Sequence, residues 1–260
     1  MSRTIVIANQ KGGVAKTTTA VNLGIGLARA GKRVLLIDND PQGSLTEALG
    51  YQEPDLLEIT VATIMERVLN EEKFILTDGI LHHEEGVDLL PANIELAGVE
   101  TSLIGIMSSE SILKEYIEMV EGSYDYVVID CSPNLGQLTL NALVAADDVI
   151  IPVQAAFLPI KGLEQLLKTI SRVKRKLNQK LNILGILLTM VDYRTNFAKD
   201  ITEVLYQVYG SSIHIFNNCI PLSVKAAEIS AQGVSIYKYD KNGKAAKAYE
   251  ELTKEVLGNE

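Results

Sequence analysis

Short, nearly continuous apolar runs alternate along the chain with longer segments whose apolar positions recur every three or four residues. The runs at residues 4–8, 33–37, 87–91, 126–129, 149–153, 183–189 and 213–216 read as strands buried on both faces. A strand with one wet face would instead alternate apolar with polar residues. The segments at 17–30, 112–120, 163–177, 197–208 and 245–257 carry helical periodicity. This strand–helix alternation predicts an α/β fold, a mainly parallel central sheet flanked by helices on both faces. The polar tracts at 70–73 and 82–86 read as surface loops. No linker, repeat or low-complexity segment divides the 260 residues, so one domain over residues 1–260 is expected.

Composition narrows the class. Apolar residues make up 47% and charged residues 22%, enough for a well-filled core. The opening MSRTIVIANQ is too short an apolar run for a signal peptide, and no later run reaches the roughly 18 residues of a membrane span. Two distant cysteines, Cys131 and Cys219, argue against a disulfide framework and for a cytoplasmic location. His82, His83 and His214 show no metal-binding spacing. The net charge of −9 excludes a uniformly basic nucleic-acid binder and leaves room for a local basic patch.

The candidate chemistry begins at NQKGGVAKTTT, residues 9–19, between the first apolar run and the first helical segment. A strand, a Gly-rich turn, Lys-Thr and a helix in that order point backbone N–H groups and a helix dipole at one place, as a phosphate site requires. Gly12 and Gly13 allow close backbone approach, Lys16 can reach β- and γ-phosphates, and Thr17 offers a hydroxyl to Mg²⁺. The stretch nevertheless departs from G-x-x-x-x-G-K-[ST], because Gln10 and Ala15 stand at the glycine positions. Ala15 is either strained at positive φ or an ordinary helix-starting alanine, and the residues leave both readings open. Lys11 is an additional lysine that a simple phosphate loop does not require. Two strand-end stretches supply carboxylates: RVLLIDNDPQG ends in Asp38 and Asp40, and SYDYVVIDCSPNLG carries Asp130. A carboxylate at the carboxyl end of a strand beside such a loop can hold magnesium or its waters.

KGGVAKTT, DNDPQG and VVIDCSPNLG together resemble the deviant Walker A ATPases of the ParA/MinD family, most closely the ParA/Soj DNA-partition branch. The resemblance extends to TMVDYRTN at 189–196 and IPLSVKAAE at 220–228. With no helix-turn-helix segment ahead of Met1, the chain resembles the short form. The resemblance implies an ATPase with ATP and Mg²⁺ as cofactors. It makes Lys11 the signature lysine, which crosses a nucleotide-sandwich homodimer to the partner's phosphates. The phosphates would rest on Lys11, Gly12, Gly13, Val14, Ala15, Lys16, Thr17 and Thr18, and the adenine beside Pro221. Thr17, Asp38 and Asp130 would serve magnesium, partly through water, and Asp40 would position the attacking water. Nonspecific double-stranded DNA would be met by Arg194 and Lys225, helped by Lys241, Lys244 and Lys247. A ParB-like centromere-binding protein would stimulate a slow hydrolysis, on the nucleoid and not at a membrane. Three departures weaken the transfer: Ala15 for glycine, Ser132-Pro133 for Pro-Pro, and Pro221-Leu222-Ser223-Val224-Lys225 for P-R-N-V-R.

The main alternative within the resemblance is a MinD-like membrane-associated switch. It would need a basic amphipathic C-terminal helix, whereas AKAYEELTKEVLGNE mixes signs. An iron–sulfur reductase would need cysteines in other surroundings than those of Cys131 and Cys219. A metabolic ligase or arsenite-type ATPase lacks the combination of DNDPQG with TMVDYRTN. The densest basic stretch, 168–180, reads equally as a solvated helix face or as a DNA contact.

Overall fold

Alternate residues of the first strand face opposite cores. Ile5 and Ile7 pack into one apolar cluster and Val6 and Ala8 into another, all at most 1% exposed. That is why these strands read as unbroken apolar runs. The structure is a computed structural model and describes residues 2–155, 160–192 and 194–258. In chain order its elements are β1 (Arg3–Ile7), α1 (Lys16–Arg29), β2 (Val34–Asn39), α2 (Ser44–Ala48), α3 (Val61–Leu69), β3 (Leu81–His82), β4 (Asp88–Leu90), α4 (Glu95–Ser102) and α5 (Ile112–Val120). There follow β5 (Tyr126–Cys131), α6 (Gln137–Ala145), β6 (Asp148–Gln154), α7 (Ile160–Lys176), β7 (Asn182–Thr189), α8 (Asn196–Tyr209), α9 (Val224–Glu228), α10 (Ile236–Tyr239) and α11 (Lys244–Gly258). The seven strands form one sheet in the order β3-β4-β2-β5-β1-β6-β7. Every pairing is parallel except the antiparallel edge pair β3–β4.

One face of the sheet is covered by α3 to α8 and the other by α1, α2, α10 and α11. On the second face two glycines bring α1 close to its neighbours. A β-carbon on Gly24 would overlap the Leu36 side chain of β2, and one on Gly26 would overlap Thr253 and Tyr237. The α1 axis is therefore held tight against β2, the strand that carries Asp38.

The expected strand at residues 213–216 does not form. Ile215 makes a single parallel bridge to Ile186, and the pairing stops there. That bridge consists of Ile186 N donating to the His214 carbonyl (2.9 Å) and Phe216 N to the Ile186 carbonyl (3.0 Å); Asn217 N, on the other side of the chain, donates to the Glu255 carboxylate of α11 (3.2 Å). The edge strand β3, and helices α3, α4 and α6, were not singled out by the pattern of the sequence. The tracts 70–73 and 82–86 do fall largely outside regular elements, although His82 belongs to β3 and pairs with Asp88.

Candidate functional site

The loop from Asn9 to Ala15 leaves β1 at the carboxyl edge of the sheet, and its neighbours fix it. Asn9 Nδ2 donates to the Pro152 carbonyl of β6 (2.6 Å), and Asn9 Oδ1 accepts the Lys11 amide (2.9 Å). From β7, Thr189 Oγ1 donates to the Val14 carbonyl (3.1 Å). Asn9 and Thr189 were not among the expected site residues. An asparagine directly after a strand is a turn-forming signal, but the partner of Thr189 lies 175 residues away and is invisible locally.

Ala15 adopts φ 64° and ψ 34°, the left-handed region, which settles the question left by the sequence in favour of strain. Gly13 has φ 68°, and a β-carbon there would meet nothing within 4 Å, so its requirement is torsional. Lys16 is buried (7% exposed), and its ammonium donates to the Lys11 carbonyl (3.3 Å). Burial depresses its pKa, opposed by the charges of Asp130, Cys131 and Asp40. Lys11 and Thr17 are half-buried, and Lys11 Nζ lies 3.5 Å from Gln154 Oε1.

The carboxylates converge on the loop. Asp38 and Asp130 are register partners on adjacent strands β2 and β5. Thr17 Oγ1 donates to Asp130 Oδ2 (2.6 Å), while the buried Asp130 Oδ1 has no hydrogen-bond partner. Asp38 accepts from Thr46 N (2.8 Å), Thr46 Oγ1 (2.7 Å) and Asp40 N (3.2 Å). Its pKa nevertheless rises from 3.8 to about 7, because burial outweighs those three donors. Asp130 is raised as well, by burial first and then by the Asp38 charge, against the pull of Thr17 and Lys16. Asp40 is half-buried in the turn after β2, where its Oδ1 accepts the Gln42 amide (3.0 Å).

A cleft of about 320 Å³ continues from the loop across Gly13, Ala15, Lys16, Thr17 and Thr18 to Met190, Ile220, Pro221, Leu222 and Ser223. Pro221 is held in its wall by a parallel bridge to Val191. Met190 also lies at positive φ, 52°, on this wall, and nothing in the sequence marks it. Arg194 and Lys225 lie beyond the cleft, each paired with a carboxylate: Arg194 with Asp192 (2.8 Å) and Lys225 with Asp240 (2.9 Å). Tyr193, within the 189–196 segment, falls outside the described residues.

The AAA domain family matches the chain over residues 2–183. The chain is 42% identical over 259 residues to the sporulation initiation inhibitor protein Soj of Bacillus subtilis, covering 100% of both chains. It is 38% identical over 260 residues to the chromosome partitioning protein ParA of Caulobacter vibrioides, covering 99% of this chain and 95% of that one. A solved structure named cobyrinic acid a,c-diamide synthase, from Mycobacterium smegmatis with a bound ATP analogue and magnesium, is similar at 38% identity. It matches with a TM-score of 0.86 over 99% of this chain and 95% of that one. Fold and loop together define a P-loop nucleotide-binding protein with a deviant Walker A motif. Within that class, the chain belongs to the ParA/Soj family of partition ATPases.

Proposed function

We propose that this chain, acting as one ATPase domain, is a Mg-ATP-dependent DNA-partition ATPase. The observation that carries the reading is the Thr17–Asp130 hydrogen bond beside the unpartnered Asp130 Oδ1, at the foot of a phosphate loop. A hydroxyl and a buried carboxylate with a spare oxygen fit one magnesium ion, which in such sites takes most of its remaining ligands from phosphates and water. No cluster of three or more His, Cys, Asp or Glu suited to a metal occurs among the described residues, and such a site needs none. Thr17 and Asp130 would hold the ion, with Asp38 behind them. When bound, it supplies neutralisation of charge on the β- and γ-oxygens.

The chain's own residues supply the rest. Backbone amides of Gly12 to Ala15 and the start of α1 cradle the phosphates, Lys16 neutralises them, and the base lies against Pro221. Asp40 orients the attacking water, and Lys11 reaches the nucleotide of a second copy, so that two nucleotides join the homodimer. The dimer binds double-stranded DNA without sequence preference on the nucleoid. Its slow hydrolysis, stimulated by a ParB-like partner, resets it. DNA phosphates would displace Asp192 from Arg194 and Asp240 from Lys225.

A membrane switch is less well supported. The apolar side of α11 is already used, with Ala245, Tyr249, Leu252 and Val256 buried against α1 and the sheet. Among the described residues no helix is long and apolar enough to cross a membrane. The test is a gel shift of nonspecific duplex DNA at several salt concentrations, with Mg-ADP and with a slowly hydrolysed ATP analogue. Binding with the analogue alone, weakening steeply with salt, is expected. Equal or absent binding in both nucleotide states would overturn the reading, and an amide-forming synthase on this fold would give the second result.

A further inference from the structure

Helix α7 buries Leu163, Leu166, Ile170 and Val173 against the sheet and turns Lys168, Arg172 and Arg175 to solvent. Spaced i, i+4 and i+7, these three cations form one stripe along the helix. With Glu164, Leu167 and Ser171 they line a shallow groove of about 470 Å³. Among the described residues none of the three has a carboxylate partner in an ion pair. Arg194 and Lys225, by contrast, are each paired.

An ordinary solvated face does not account for the stripe. On other helices exposed lysines occur both paired, Lys114 with Glu118 on α5 and Lys254 with Glu250 and Glu251 on α11, and without an ion pair among the described residues, Lys244 and Lys247 on α11, so what marks the stripe is three unpaired cations on one face. On α7, Lys168 and Arg172 are like charges four residues apart, which weakens a helix. The helix dipole favours cations only in the last turn. It therefore accounts for Lys174, Arg175 and Lys176, but not for Lys168 or Arg172. We propose that the Lys168–Arg172–Arg175 stripe is a second contact surface for the phosphate backbone of double-stranded DNA, separate from Arg194 and Lys225. The proposal rests on the partition-ATPase reading.

The occupant follows from the chemistry of the groove. Seven helical residues rise about 10.5 Å, and one DNA strand presents a phosphate about every 3.4 Å along its axis. Three long cations can thus meet three neighbouring phosphates. A protein partner would look for apolar or aromatic anchors, and Leu167 is the one apolar side chain lining this groove.

The test uses the full chain with Mg²⁺, a slowly hydrolysed ATP analogue and a fluorescent nonspecific duplex, titrated at several salt concentrations. The variant K168Q/R172Q/R175Q should bind more weakly, and its slope of log K against log salt should shrink by about 2.7 for each protomer of the dimer whose stripe meets the duplex, or 0.9 for each phosphate no longer neutralised. Basal ATP hydrolysis and the circular dichroism spectrum should be unchanged, because all three side chains are exposed. The charge-preserving K168R/R172K/R175K should bind as wild type does. An unchanged slope in the glutamine variant would overturn the assignment, as would equal weakening in the charge-preserving variant, since shape and not charge would then matter. If wild-type protein binds no DNA in any nucleotide state, the partition reading itself fails. Wild-type binding with an unaltered glutamine variant removes only the α7 surface.

Discussion

Ala15 holds a backbone conformation that costs an L-residue roughly 1–2 kcal/mol. Replacing it with glycine removes that cost but frees the unfolded chain by about 0.4–1 kcal/mol. Ala15→Gly should therefore stabilise the nucleotide-free protein by about 0.5–1 kcal/mol in urea denaturation, and a drop in stability would mean that the methyl group makes interactions outweighing the strain. The two buried carboxylates make a prediction of the opposite character. The folded pKa of Asp38, about 7, stands above its ordinary 3.8. Between about pH 4 and pH 7 the unfolded chain has released this proton and the folded chain has kept it. Stability from this group consequently falls as pH rises through that window and levels off above it, and Asp130 adds in the same direction. Asp130→Asn should flatten the decline and raise nucleotide-free stability at pH 8 by at least about 1 kcal/mol, less than one pKa unit's worth. Thermal unfolding from pH 5 to pH 8 is the measurement, and an identical pH profile in the variant would count against the strained carboxylate pair. Magnesium–nucleotide binding should itself strengthen with pH across the same range, since it favours the ionised form.

At the scale of elements, α1 sets the precision of the site. Its start carries Lys16 and Thr17, and its middle is seated on β2 through Gly24. In an exposed helix, Gly→Ala would gain up to about 1 kcal/mol of propensity. Here the added carbon meets the fully buried Leu36, so Gly24→Ala should destabilise by about 1–2 kcal/mol net of that gain. A stabilised variant in chemical denaturation would show that Leu36 moves freely. Much of this architecture was legible in the sequence, because β1, β2, β5, β6 and β7 are buried on both faces over most of their length and are apolar there. The edge strand β3 was not, since two residues at a wet edge carry no period. Residues 213–216 have a strand's composition, yet only Ile215 bridges to β7, and the next bond to that strand comes from Ile220 N to the Leu188 carbonyl. The loop's glycines, Lys16, Thr17 and the strand-end aspartates were legible because their chemistry demands particular residue types in order. Thr46, which donates twice to Asp38, and Thr189, which anchors the loop, were not. Their roles come from strands and turns brought beside them by the fold. The φ of Ala15 was undecidable locally, since alanine is ordinary at a helix start and merely costly at positive φ.

At the scale of the molecule, the separate placement of Lys16 and Lys11 bears on assembly. Lys16 is buried under its own loop with its ammonium against the Lys11 carbonyl, and the proposed function has it serve the nucleotide of its own chain. Lys11 is half-buried on the rim, its backbone fixed by Asn9 and its ammonium close to Gln154. Removing the Lys11 side chain leaves the hydrogen bond from its amide to Asn9 intact, so the loop should keep its shape. Lys11→Ala is therefore expected to bind Mg-ATP with little weakening but to remain monomeric with a slowly hydrolysed analogue, under conditions in which wild type is expected to give a dimer by light scattering. Its ATP hydrolysis should fall at least about tenfold, a conservative figure beside the three to five orders of magnitude that a cation supplied in trans contributes elsewhere. Lys16→Ala should behave differently, losing nucleotide binding and dimer together, which separates a cation that holds the nucleotide from one that completes a neighbour's site. A Lys11→Ala protein that dimerises and hydrolyses as wild type does would mean that each active site is complete within one chain.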